Sequence, residues 1–123
     1  MRIERYPENP LVKPSDVKPT YDNYEVICAF NAGVIEFKDE ILMLMRVAER
    51  PINHQPDMVL IPIVDFQAGT AVQKVLSFSS TTEGINLDDP RVVQFPGTIY
   101  LTSISHFRIA RSKDGRHFTV DEK

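Results

Sequence analysis

A twelve-residue segment of this chain returns 58 positions later with its pattern of residue types intact. Asn31-Ala32-Gly33-Val34-Ile35-Glu36-Phe37-Lys38-Asp39-Glu40-Ile41-Leu42 aligns without a gap to Asp89-Pro90-Arg91-Val92-Val93-Gln94-Phe95-Pro96-Gly97-Thr98-Ile99-Tyr100. In each copy a β-branched pair leads to an acid or amide, a Phe, a turn and a returning apolar strand. Self-similarity at a fixed period of this size points to an architecture of repeated small sheets. It also sets Asn31 and Asp89 at equivalent places in successive units. Both polar side chains are therefore expected to open corresponding inner strands and to point into one shared central pocket.

The rest of the chain fits short strands. Residues 6 to 20 carry Pro7, Pro10, Pro14 and Pro19, which exclude a helix and favour an extended arm over residues 1–24. Strands are expected at Glu25 to Phe30, Gly33 to Phe37, Ile41 to Val47, Met58 to Phe66 and Ala71 to Ser79. Pro62 suggests an edge or bulge in the fourth of these. Glu25 to Phe30 leads in, and the other four form a first four-stranded unit, residues 25–82, with the polar stretch Ser79 to Gly84 as a linker. A second unit, residues 83–123, takes strands from Arg91 to Phe95, Thr98 to Ser105, Arg108 to Ser112 and from His117 onward. No window has the 3.6-residue periodicity of an amphipathic helix, so the chain reads as all-β. Four-stranded units repeated in this way are the blades of a β-propeller. Two blades do not close a ring, which takes well over ~150 residues at roughly 40–50 per blade. The chain is expected to be the N-terminal part of a larger propeller, copies assembling to complete the stack being the alternative.

Bulk properties narrow the function classes. A chain of 123 residues supports one domain with a core. Its net charge is −3, with Lys and Arg scattered, so no basic stripe advertises nucleic acid or an anionic membrane. The longest apolar run, Ile41 to Met45, is far short of the ~18 residues of a membrane span. The N-terminus lacks the apolar stretch of a secretory signal. A single cysteine, Cys28, makes no internal disulfide and fits a reducing compartment. A cytoplasmic location is the expectation.

Few residues stand out chemically. Asp89 lies between Asp88 and Pro90, a pairing that commonly starts a turn. The alternative is catalytic, since a second carboxylate beside it and desolvation near strand ends both raise a carboxyl pKa. Arg91 opposes them, and the sequence leaves the balance open. Arg46 shares a strand face with Leu42 and Leu44, a face that reads as buried, where a cation needs a partner or a ligand anion. A strand-end Arg reaching solvent is the competing reading. Alternation puts His106 and Arg108 on one face, and Ser105 with Phe107 on the other. Arg108 could grip a phosphate or carboxylate, or serve as a surface salt bridge. His54, His106, His117 and Cys28 lack zinc-site spacing, and no Gly-rich phosphate loop, nucleophile elbow or dinucleotide fingerprint occurs. Met43 and Met45 read as core packing.

Several short motifs together resemble glycoside hydrolase family 130. They are Asn9-Pro10, Phe30-Asn31-Ala32-Gly33, Leu42 to Val47 with Glu49-Arg50, Asp88-Asp89-Pro90-Arg91, Tyr100 to His106, and Ala110 to Gly115. The family comprises β-mannoside phosphorylases and related mannosidases built as five-bladed propellers, and the motifs cover nearly the whole chain in order. By this resemblance Asp89 is the general acid of an inverting reaction. Asn31 and Arg46 hold the mannosyl ring, Asp88 and Arg91 are further substrate-binding residues, and Arg108 with His106 meets phosphate. Inorganic phosphate is the implied co-substrate, with no cofactor or metal, and the implied substrate is a β-manno-oligosaccharide or a mannosyl-glucose. Phosphate is already an anionic nucleophile, so the second carboxylate of an inverting hydrolase can be dispensed with. Ala32 stands where many members have Pro, and Asp88 where Glu is usual. The remaining blades, with further sugar and phosphate contacts, lie outside these 123 residues.

Overall fold

Tight turns at positions of positive φ set the strand pattern. In a computed structural model, which describes residues 1–122, the strands are β1 (Tyr24–Phe37), β2 (Glu40–Pro51), β3 (Met58–Gln67), β4 (Thr70–Ser79), β5 (Val92–Phe95), β6 (Thr98–Leu101), β7 (Ile104–Ser112) and β8 (Thr119–Val120). Lys38 and Asp39 join β1 to β2 with φ of 49° and 63°, both positive as a type I′ hairpin turn requires. Ala68 and Gly69, at 49° and 80°, join β3 to β4 in the same way. Between β5 and β6 the turn is Pro96-Gly97, with Pro fixing the first position and Gly97 at 80° supplying the second, as in a type II turn. No helix among the described residues is long and apolar enough to cross a membrane.

The 58-residue repeat is real at the level of the hairpin. Phe37 ends β1 where Phe95 ends β5, and Glu40 starts β2 where Thr98 starts β6. Upstream of the hairpin the two copies diverge. Glu25 to Phe30 and Gly33 to Phe37 are one continuous strand, β1, which passes through Asn31 at φ 50°. Asp89 instead lies in a loop three residues before β5. The cause is the pair Ala32/Pro90: Pro90 has no N–H for a ladder, so the second strand starts only at Val92. The expectation that Asn31 and Asp89 both open strands is corrected accordingly.

The grouping of strands also differs from sequence order. One sheet has the order β1-β2-β7-β8, while β3-β4 and β5-β6 are two-stranded sheets. The expected four-stranded units over 25–82 and 83–123 are therefore not the sheets of the molecule. Six residues, Ile52 to Asp57, separate β2 from β3 and fold on themselves. Gln55 N donates to Asn53 Oδ1 at 2.9 Å, and Met58 N to Gln55 O at 3.0 Å. This link is no tight turn, so adjacency in sequence does not become pairing. Pro62, opposite Val75 in β3-β4, sits in a sheet of two edge strands, where a missing donor is tolerated.

The chain divides into two compact units. The first contains Met1–Asp22, Val26–Ala48 and the chain from Ser105 onward. Its core is Val17, Met45, Val47 and Ala110, with Val12, Val26, Ala29, Met43, Phe118 and Val120 packed against it. The arm is thus part of the core: it turns through a single 3-10 segment, Pro14–Asp16, and inserts Val17. The second unit contains Asn23–Glu25 and Glu49–Ile104. There Ile61 and Val93 are fully buried, and Phe95 packs against Phe78 and Tyr100 with ring centroids 5.1 and 6.3 Å away.

Candidate functional site

In the first unit, Asn31 occupies the left-handed region, which Asn tolerates better than other residues bearing a Cβ. Backbone strain of this kind inside a strand is typical of functional positions. Asn31 lies at the rim of an open cleft of about 250 Å³, lined also by Leu11, Val12, Phe30, Met43 and Met45. Arg46 belongs beside this group: its guanidinium carbon sits 5.2 Å from the centroid of the Phe30 ring. The face it occupies is the reverse of the one expected. Leu44 and Arg46 are exposed, whereas Met45 and Val47 are buried against Val17 and Ala110. Arg46 therefore needs no buried counter-ion and presents its charge to solvent over an aromatic face.

His106 and Arg108 share a face of β7, as alternation requires, and both meet the arm through Thr20. Arg108 is 5% exposed. Its Nη2 donates to the Thr20 hydroxyl at 2.8 Å and to Lys18 O at 3.2 Å, and its Nη1 to Asp121 O at 3.2 Å. His106 Nε2 lies 3.3 Å from the same hydroxyl. This geometry makes Arg108 a clamp joining the arm, β7 and the residues after β8. Phe107, on the opposite face, is exposed.

Asp88, Asp89 and Arg91 fall in the second unit. Asp88 is exposed, and its N–H donates to Asn86 Oδ1 at 2.9 Å. Asp89 Oδ1 accepts from Arg91 N and Nε, both at 2.9 Å, and Oδ2 accepts from Arg91 Nη2 at 2.6 Å. The balance left open by the sequence is decided for Arg91. Its side-chain and backbone donors, outweighing desolvation, hold the Asp89 carboxyl down at about 2. The loop is braced by Thr102, whose hydroxyl donates to Pro90 O at 2.8 Å and whose N–H donates to Arg91 O at 3.0 Å.

Sequence reasoning missed Thr20, Phe30 and Thr102. Thr20 and Thr102 act across 88 and 12 positions of chain, and no local signal marks such partners. Phe30 was adjacent to a singled-out residue, but its role depends on Arg46 lying beside it across strands. Ser112, Asp114 and His117 also cluster, as turn chemistry. The Ser112 hydroxyl donates to Asp114 Oδ1 at 3.0 Å and accepts from Gly115 N at 2.9 Å, while Asp114 Oδ2 faces His117 Nδ1 at 2.6 Å.

No protein-family model matches the chain. The chain is 48% identical, over 127 aligned positions, to the β-1,2-mannobiose phosphorylase of Listeria innocua, covering all of this chain and 35% of that protein. A solved structure of the Listeria innocua enzyme in complex with β-1,2-mannobiose superposes with a TM-score of 0.85, again covering the whole chain and 35% of its counterpart. The chain thus spans about a third of the length of the curated relative it matches. Over that span its sequence and its fold agree with the resemblance to the N-terminal portion of glycoside hydrolase family 130.

Proposed function

We propose that the protein carrying this chain is a β-mannoside phosphorylase acting with inversion, and that these residues form about two blades of a larger propeller. The observation that supports the reading most is 48% identity along the whole chain to a β-1,2-mannobiose phosphorylase. In this reading Asp89 is the general acid. Asn31, in its strained conformation, and Arg46, stacked on Phe30, contact the mannosyl ring. Phosphate attacks the anomeric carbon, and the glycosidic bond breaks. The leaving oxygen takes the acid's proton through a sugar hydroxyl, and α-mannose 1-phosphate is released. Inorganic phosphate is the co-substrate, with no cofactor required, and the protein acts in the cytoplasm. Arg108 is the clamp on the arm, with His106 beside it, and both stand where phosphate is expected to be met.

The expected outcome in the protein carrying this chain is that β-1,2-mannobiose is consumed only when inorganic phosphate is present, with sugar phosphate as product by ³¹P NMR. Mannose released equally well without phosphate would replace phosphorolysis by hydrolysis. The 35% share supports a second reading for the isolated chain, that of a propeller segment which folds and binds glycan without turnover. Mannobiose binding without phosphorolysis by the 123-residue chain is its mark.

A further inference from the structure

Asp89 accepts three hydrogen bonds, all of them from Arg91. Both oxygens accept charge-assisted hydrogen bonds from one guanidinium, and Oδ1 accepts the Arg91 backbone N–H as well. A carboxylate held by a fork of this kind is an acceptor with no proton to give. A general acid at Asp89 therefore needs the fork to open before it works.

The surroundings make that opening a side-chain event. Thr102 holds the Pro90 and Arg91 carbonyls, and Val92 N donates to Asp89 O at 3.2 Å, so the loop backbone is fixed independently of the ion pair. The Arg91 side chain is 84% exposed against 38% for Asp89. Asp89 is its one ion-pair partner among the described residues. Among the described residues, no packed side chain stands between this guanidinium and an approaching oxyanion. The planar fork that fits a carboxylate fits a phosphate equally well, so one charge-assisted pair can exchange for another. Few other charges bear on Asp89 within its unit. Asp88 is adjacent and exposed, while Glu25 and Arg50, which line a cleft together with Pro90, are paired to each other at 2.7 Å.

We propose that Arg91 is a positioning residue rather than a sugar contact. It clamps Asp89 as a carboxylate in the ligand-free protein and releases it when inorganic phosphate draws the guanidinium away. On release, Asp89 takes one proton from the dihydrogen phosphate that has replaced it on Arg91, leaving hydrogen phosphate behind, and later gives that proton to the departing sugar oxygen. Phosphate thereby both supplies the nucleophile and arms the acid, which orders the two events. This inference rests on the reading of Asp89 as the acid, and the low titration point of Asp89 accords with it.

The test is a ¹³C-carboxyl NMR titration of Asp89 in the protein carrying this chain, with and without millimolar inorganic phosphate. Without phosphate, wild-type Asp89 is expected to titrate at about 2, and Arg91→Gln to move it towards the ordinary value of 3.8. That is a gain of roughly tenfold or more in proton affinity. Phosphate is expected to shift wild type in the same direction and to leave Arg91→Gln unmoved, while Arg91→Lys, which keeps the charge without the fork, recovers part of the wild-type depression. An Asp89 titration unchanged by Arg91→Gln, or unmoved by phosphate in wild type, overturns the proposal. Failure of the underlying reading looks different: Asp89→Asn would keep its turnover while the titrations behaved as described.

Discussion

Asp114, with the Ser112 hydroxyl, organises the turn between β7 and β8. Its Oδ1 accepts from Arg116 N and His117 N at 2.8 and 2.9 Å, and its Oδ2 meets the His117 ring at 2.6 Å. The His117 contact, reinforced by these backbone donors, holds the Asp114 carboxyl well below the usual carboxylate range and raises His117 above 6.5. The two signs give opposite pH windows. The contribution of Asp114 is present above 3.8 and lost as pH falls through its lower folded value. That of His117 is complete below 6.5 and lost as pH rises through its higher folded value. Thermal melts at constant ionic strength should therefore lose stability as pH rises above 6.5 in wild type, and less so in His117→Gln. An identical pH dependence in the variant would remove His117 from this account. Both groups are exposed, so the change is expected to be small.

At the scale of elements, the arm and β7 are tied by Arg108, whose burial decides its role. Truncating it removes two part-buried hydrogen bonds, to the Lys18 and Asp121 carbonyls, each worth on the order of 1 kcal/mol. Arg108→Met, which keeps most of the volume, is expected to destabilise the fold by that order in urea and to open residues 10–20 to proteases. A variant as stable and as resistant as wild type would return Arg108 to the list of ligand contacts. Hairpins were legible in the sequence because a hairpin is local: the turn residues at 38–39, 68–69 and 96–97 are enough to place it. The inward face of β2 was not legible. Leu42 and Leu44 are as apolar as Met43 and Met45, so a period of two identifies two faces without choosing between them. The choice is made by Val17 and Ala110, which approach from distant parts of the chain. Pairing of β2 with β7 is hidden for the same reason, whereas Pro90, read as a turn former, does stop its strand.

For the whole molecule, the informative quantity is the share of chain: all 123 residues align with 35% of a mannobiose phosphorylase. Asp89 and Asn31 were both legible as candidates, one from its motif and one from its equivalence to the first. What the string could not reveal was the state of Asp89, because an Arg two residues away can point anywhere until the loop backbone is fixed by Thr102. The account's central claim is that this carboxyl is the acid of a phosphorolytic mannoside cleavage. It is tested most directly by α-mannose 1-phosphate release from β-1,2-mannobiose by the protein carrying this chain, wild type against Asp89→Asn. General acid–base catalysis contributes typically 10²–10⁴-fold, so the account predicts a loss of roughly a hundredfold or more in kcat. Turnover equal to wild type would contradict it.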